Sequence, residues 1–223
     1  MFERLITLIG KDKFGKLQTV SVLVVGIGGV GGYAFEALVR SGIINISIID
    51  GDNIDISNLN RQIISSNDNI GLEKVEVAKN RALKINSNIK IITFNENLNN
   101  NNIDLILKNK YDYVIDACDT IETKVLLIEK VFKYKYKLIS SMGTANKTNP
   151  SLFSITDLSK TTNDPIARIL RKKVKELKIN KKIMVVSSTE TPVANEKLGT
   201  NSYIPGIAGL LCASYVINDI TKK

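Results

Sequence analysis

Three glycines in G-x-G-x-x-G spacing, Gly26, Gly28 and Gly31, directly follow the apolar run Val22 to Val25 and open an amphipathic segment that reaches Arg40. Glycine at a strand-to-helix turn lets backbone amides approach phosphate oxygens, and the helix adds positive potential at its first turn. A second apolar run, Ile46 to Ile49, ends in Asp50. That is about 20 residues beyond the glycines, where a strand tip offers a carboxylate to ribose hydroxyls. Asp52 stands beside it, and Gly29 lies inside the fingerprint. These residues fit any dinucleotide or ATP equally well, and glycines placed only for tight strand-to-helix packing remain a competing explanation.

Two cations farther on narrow the chemistry. Arg61 sits in Ser57-Asn58-Leu59-Asn60-Arg61-Gln62, and Lys74 follows Gly71 at the start of a helical pattern. Hydride transfer has no use for such a pair, whereas a departing pyrophosphate does, because electrostatic stabilisation is the main tool of phosphoryl and nucleotidyl transfer. The plainer alternative pairs Arg61 with Asp52 or Asp55 and leaves Lys74 as a surface lysine. Asp116-Ala117-Cys118-Asp119 then follows a further strand, on the sheet edge where open α/β sheets bind ligands. A carboxylate there suits Mg2+, which prefers one or two carboxylates together with phosphate oxygens and water. Asp119 could instead cap the next helix.

The composition excludes other chemistries. The 223 residues contain no histidine, which removes imidazole acid-base catalysis and Ser-His triads. The two cysteines, Cys118 and Cys212, form no C-x-x-C pair, so neither a zinc site nor a disulfide framework is expected. With 31 basic against 22 acidic residues, the charge of +9 favours a polyanionic partner, although solvated lysines give the same balance. The amino-terminal Met1 to Ile6 lacks the long apolar core of a secretory signal, which points to the cytoplasm. Ile204 to Ile220 is apolar but carries Asp219. A buried or dimer-interface helix is expected there, with membrane association unlikely.

Short β-branched runs alternating with helical patterns predict an α/β fold: a Rossmann-like open, mostly parallel sheet with helices on both faces, extended by further carboxy-terminal strands and a helix, in a single domain over 1–223. Strands are expected at Val20 to Val25, Ile46 to Ile49, Lys90 to Phe94, Tyr113 to Ile115, Leu138 to Ser141, Leu152 to Ile155 and Ile183 to Val186. Helices are expected at about Leu72 to Ile85 and Thr123 to Tyr134, and the asparagine-rich Asn95 to Asn102 reads as an exposed loop. Asp164-Pro165 has the chemistry of a helix start. The helix that follows places Ile166, Ile169, Leu170 and Val174 on one side, with Arg168, Arg171, Lys172 and Lys175 largely on the other.

Taken together, G-I-G-G-V-G at Gly26 to Gly31, S-N-L-N-R-Q at Ser57 to Gln62, Gly71 with Lys74, and D-A-C-D at Asp116 to Asp119 resemble the ubiquitin-activating-enzyme-like adenylyltransferase superfamily over nearly the whole chain. Within it the chain looks most like the tRNA threonylcarbamoyladenosine dehydratases, on Arg4-Leu5, Asn60, Lys160-Thr161, Asp164-Pro165 and Ser188-Thr189-Glu190. The resemblance implies a homodimer binding ATP and Mg2+, with Asp50 on the ribose, Asn58, Arg61 and Lys74 on the phosphates, and Asp119 on the metal. It also implies that Arg4 reaches into the partner's site. The activity implied is ATP-dependent closure of the threonylcarbamoyl group of a modified tRNA adenosine, through a carboxyl-adenylate.

On that reading Arg168, Arg171, Lys172 and Lys175, extended by Lys178, Lys181 and Lys182, are the candidate tRNA contacts; the alternative for them is a solvated amphipathic face. The same ATP residues would serve a second activity, adenylation of the carboxyl terminus of a ubiquitin-like sulfur-carrier protein, and a carrier or sulfur-transfer partner stays open. A nicotinamide oxidoreductase leaves Arg61, Lys74 and Asp119 idle, and a silent nucleotide-binding subunit is a further alternative. Cys118 reads as a small buried cysteine in preference to a covalent relay.

Overall fold

A computed structural model describes residues 1–222. Two short helices, α1 (Glu3–Ile9) and α2 (Lys11–Thr19), lead into β1 (Ser21–Val25), α3 (Gly31–Arg40) and β2 (Asn45–Ile49). The chain continues through α4 (Lys74–Ile85), β3 (Lys90–Phe94), α5 (Ile103–Leu107), β4 (Tyr113–Asp116), α6 (Ile121–Tyr134) and β5 (Lys137–Ser141). It ends with β6 (Phe153–Asp157), α7 (Pro165–Glu176), β7 (Met184–Ser188) and α8 (Ile204–Thr221).

The strands form one seven-stranded sheet in the order β3-β2-β1-β4-β5-β7-β6. All neighbours run parallel except β6, which pairs antiparallel with β7 at the edge. Because side chains alternate between faces, a strand covered on both sides must be apolar throughout. In β1, Val22 and Val24 enter the core layer that holds α3 and α8, while Leu23 and Val25 enter the layer beneath α6 and α7. Strands β4 and β7 split in the same way, Ile115 and Val186 to one layer and Val114 and Val185 to the other. This is the expected mostly parallel Rossmann-like sheet with its carboxy-terminal extension.

The order reverses between β1 and β4, so α3 leaves toward one face and α6 toward the other. A crevice opens at the carboxyl ends of those two strands, the place where such sheets take ligands. The expected strands appear within two residues of their predicted limits. Unforeseen are α5, which follows directly on the asparagine-rich loop, and the antiparallel sense of β6.

Helix α8 is the one helix among the described residues long and apolar enough to cross a membrane. Its small residues explain it differently. Gly209 packs against the Val30 carbonyl and Gly206 against the Tyr33 ring, and Ala208, Cys212, Ala213 and Val216 are buried in the core. Small residues allow α8 and α3 to cross at close range, which makes α8 a core helix, as expected.

Candidate active site

The glycine loop is the hub of the crevice. Gly26 adopts φ +86°, and a Cβ there would lie 2.8 Å from the Ala117 carbonyl just beyond β4. Backbone conformation and close approach therefore both demand glycine. A Cβ on Gly31 would overlap the Gly26 carbonyl, and one on Gly29 would lie 3.0 Å from Pro205 at the start of α8. Gly28 differs, because the nearest atom to its Cβ position, Gln62 Nε2, is at an ordinary 3.8 Å. Packing accounts for Gly26, Gly29 and Gly31, whereas at Gly28 a Cβ would fit in ordinary contact. No atom among the described residues accepts from the N–H groups of Gly28 and Gly29. Unpaired amides ahead of a ten-residue helix form a ready anion site.

Asp50, at the tip of β2, holds the loop in place. Its Oδ2 accepts from the Ile27 N–H at 2.6 Å and its Oδ1 from the Asp52 N–H at 2.9 Å. Lys74, the first residue of α4, is buried, with Nζ 2.6 Å from Asp52 and 3.8 Å from Asp50. It is therefore no surface lysine. The Asp52 side chain is 63% exposed, so the pair is open on its carboxylate side.

Arg61 makes no ion pair among the described residues; its NH1 donates to the Ser57 carbonyl at 2.7 Å and to Asn60 Oδ1 at 3.0 Å. Pairing with Asp52 or Asp55 does not occur, since Asp52 takes Lys74 and Asp55 caps the 3-10 turn Ile56–Asn58. Asn58 is committed to that same turn: its Oδ1 accepts from the Asp55 N–H at 3.1 Å, and its amide nitrogen makes one long bond, to Ser57 Oγ at 3.5 Å, which leaves a second N–H to meet a ligand. The guanidinium stem passes close to Gly29, and Asn60 donates to the Thr200 carbonyl at 3.4 Å, drawing the segment after β7 over the site.

Asp116 and Asp119 divide the labour at the tip of β4. Asp116 is fully buried and holds Lys124 of α6 at 3.1 Å; it also accepts from Ser140 Oγ at 2.5 Å and the Cys118 thiol at 2.9 Å. Lys124 in turn donates to the Ser141 carbonyl at 2.8 Å. Asp119 is exposed and makes no hydrogen bond or ion pair among the described residues, and helix α6 starts at Thr120 without a side-chain cap. The capping alternative for Asp119 thus fails. Burial, and after it the Asp116 charge, pushes the Cys118 thiol far above its ordinary range, so it is protonated at neutral pH and poorly suited to act as a nucleophile. Burial lifts the Cys212 thiol to about 12.

Lys124 was not foreseen as part of the site, although a lysine among Ile121, Leu127, Ile128 and Val131 on an apolar helix face was a signal. Nor was Lys147, fully buried, which donates to the Gly143 carbonyl at 2.7 Å and Asp164 at 2.9 Å. Asp164 also accepts from the Ala167 N–H, so it is the helix cap that Asp164-Pro165 predicts.

Two sets of expected residues lie apart from the crevice. Arg4 is exposed on α1 and bonds to no site residue of its own chain among the described residues. On α7, Arg168, Lys172 and Lys175 are exposed, but Arg171 folds back, its guanidinium donating to the Thr161 carbonyl at 2.9 Å and to the Thr161 hydroxyl. Because α7 precedes a parallel strand, it descends from the ligand edge toward the opposite edge of the sheet.

The ThiF family profile matches residues 2–223. The chain belongs to the ThiF family. Among ThiF-type relatives, it is 36% identical to the tRNA threonylcarbamoyladenosine dehydratase of Bacillus subtilis, over 99% of this chain and 94% of the relative. It is 37% identical to the enzyme of that name from Escherichia coli, over 75% of this chain and 63% of the relative. A crystal structure of the E. coli tRNA N6-threonylcarbamoyladenosine dehydratase in complex with ATP superposes with a TM-score of 0.94 at 32% identity, covering 98% of this chain and 93% of that one. Both resemblances are thereby borne out: that to the superfamily, carried by the glycine loop, S-N-L-N-R-Q, Gly71 with Lys74 and D-A-C-D, and that to the dehydratases, carried by Arg4-Leu5, Asn60, Lys160-Thr161, Asp164-Pro165 and Ser188-Thr189-Glu190.

Proposed function

We propose that this chain cyclises threonylcarbamoyladenosine in tRNA at the expense of ATP, through a carboxyl-adenylate. The observation that carries the reading is Gly28: a glycine that the chain's own packing does not require, beside unpaired amides, at a sheet edge where Arg61 and Asp119 make no ion pair among the described residues. The similarity to dehydratases, one of them crystallised with ATP, supports the same conclusion.

In this reading the amides of the glycine loop and the first turn of α3 receive the polyphosphate. Asp50 faces the ribose while its remaining bonds keep the loop rigid, and Asp52 holds Lys74 in register. The substrate carboxylate attacks the α-phosphate, the bond to the β-phosphate breaks, and pyrophosphate leaves toward Arg61 and Lys74. Two fixed cations stabilise that charge without reorganising. A nucleophile of the same modified nucleoside then closes on the activated carboxyl, AMP departs, and the nucleoside has lost one water. No enzyme thiol is needed, in accord with the protonated Cys118.

The donor set fits magnesium. Among the described residues no cluster of three metal-ligating side chains exists, which argues against a protein cage, while the free Asp119 carboxylate matches an ion held chiefly by phosphate oxygens and water. Asp119 would hold the ion, which supplies charge neutralisation at the phosphates. We further infer a cytoplasmic homodimer in which Arg4 of each protomer reaches the other's site, a reading supported by the family resemblance and by the exposure of Arg4, which bonds to no site residue of its own chain among the described residues.

The test is purified protein with ATP, magnesium and unfractionated tRNA, followed by mass analysis of nucleosides. Loss of one water from threonylcarbamoyladenosine is the expected result. Pyrophosphate exchange stimulated by a ubiquitin-like carrier tail, and not by modified tRNA, would transfer the reading to carrier-protein activation.

A further inference from the structure

A second concave surface lies at the opposite edge of the sheet from the crevice. It is a groove of about 890 Å3 between the end of β6, the start of β7 and the last turns of α7, with Val174 and Ile179 in its wall. Five cations surround it: Lys160, Arg171, Lys175, Lys181 and Lys182. None of them makes an ion pair among the described residues, although Lys173 on the neighbouring helix face pairs with Glu176 at 3.3 Å. The one carboxylate in the lining, Asp157, is turned to the Ser159 N–H and hydroxyl at 2.8 and 2.7 Å. Against burial, the Ser159 hydrogen bonds and then the Lys182 and Lys160 charges hold the Asp157 carboxyl below its ordinary range, yet one carboxylate offsets only one of the five cations. The excess like charges repel one another, and an anion that enters relieves that repulsion.

Two of the cations are held in place. Arg171 is fixed by its bonds to Thr161, itself buried, and Lys181 stands over the Phe132 ring at 5.1 Å. A solvated lysine face has no such anchors, so these cations lose little conformational freedom on meeting a ligand. Several anchored and free cations along a groove suit a chain of evenly spaced single negative charges.

We propose that this groove binds the phosphodiester backbone of the RNA substrate, and that it, with Arg171 and Lys175 of α7 in its lining, is the main electrostatic anchor for that substrate, in place of the outward-facing Arg168 and Lys172. The proposal rests on the tRNA reading above. The five residues of β7 separate the groove from the ligand edge by about 16 Å at ~3.3 Å per residue, and two to three strand spacings of ~4.8 Å separate β7 sideways from the β1–β4 crevice, roughly 20 Å in all. A helical nucleic-acid strand with a rise of ~3.4 Å per phosphate spans that distance in about six nucleotides. The reacting nucleoside and the anchored phosphates therefore belong to one stem-loop. Such contacts fix position without reading sequence.

The test neutralises Lys160→Gln, Lys181→Gln and Lys182→Gln together and measures tRNA affinity from low to moderate salt. A control variant carries Lys84→Gln, Lys90→Gln and Lys108→Gln, all exposed and remote from the groove. The groove variant is expected to bind tRNA about tenfold more weakly at 0.1 M salt and to lose roughly 2 from the slope of log affinity against log salt, at ~0.7–0.9 per phosphate contact. Its ATP affinity and thermal midpoint should match the wild type, and the control should keep the wild-type slope. An unchanged slope and affinity in the groove variant, while wild-type protein cyclises the nucleoside, would overturn the groove proposal alone. Wild-type protein that modifies no tRNA at all would instead remove the functional reading on which it depends.

Discussion

Lys124 and Lys74 are both lysines near a helix start that meet an aspartate at a strand tip, yet they have opposite fates. Lys124 and Asp116 expose 1% and 0% of their side chains, and Ser140, the Ser141 carbonyl and the Cys118 thiol fill the remaining bonding positions. Lys74 meets a carboxylate that is 63% exposed, and Arg61 makes no ion pair among the described residues. A closed pair stiffens the sheet tip on which Asp119 stands. An open pair has bonding capacity left for a ligand. What separates the two lysines is the saturation of the partner, for both are themselves buried, and the ligand role proposed for Lys74 rests on that difference.

The largest test of that contrast is Lys124→Met, which leaves Asp116 charged in the core. It should lower unfolding free energy by about 3–5 kcal/mol, read by denaturant titration. The double change Lys124→Met with Asp116→Leu should recover part of this, because no unpaired charge remains. A double variant as unstable as the single one would show that the pair is not a closed unit.

At Lys74 the balance should invert. Lys74→Ala is expected to reduce turnover about a hundred- to a thousandfold, the range for removing a preorganised charge-stabilising group. Its stability loss should be smaller than that at Lys124, since Asp52 regains water. A variant that melts early and keeps turnover would make Lys74 structural.

The glycines offer a milder form of the comparison. Gly28→Ala should fold normally and weaken ATP binding about tenfold, or ~1.4 kcal/mol, in a calorimetric titration. Gly31→Ala should yield little folded protein. Equal ATP affinity for Gly28→Ala and wild type would return the glycine loop to a packing role.

The smallest expected effect concerns a half-open cluster away from the site. Burial alone would raise the Glu36 carboxyl, but the hydrogen bonds and charges of Arg81 and Arg40 overcome it and hold the group below its ordinary 4.5. A carboxylate depressed in the folded state contributes stability above its unfolded pKa and loses it as pH falls through the folded one. Glu36→Gln should therefore cost about 1 kcal/mol at pH 7. The gap to wild type should close as pH falls below the 4.5 of the free carboxyl. A gap independent of pH would mean that packing, and not charge, joins α3 to α4.

Much of the site was legible because its signals are local. The glycine spacing, Asp50 at a strand end and the Asp164-Pro165 helix start each depend on a few neighbouring residues whose backbone geometry admits few alternatives. The strands were legible because burial on both faces writes a continuous apolar run. The buried Lys124 and Lys147 were not, since a lysine in a helical or loop pattern looks solvated until a distant carboxylate is brought to it. The antiparallel turn of β6 was illegible for a similar reason: strand direction depends on the connection and on the neighbour it meets.

Residue types and spacing alone determined an α/β nucleotide-binding chain of this family, without histidine chemistry and with two candidate cations, because periodicity and turn chemistry are written in short windows. Which cation stands open, which aspartate is free, that Gly28 has no packing duty, and that Arg171, Lys160, Lys181 and Lys182 surround one groove were decided only by the folded chain. Those properties are distances between residues far apart in sequence, and only the closed sheet fixes them.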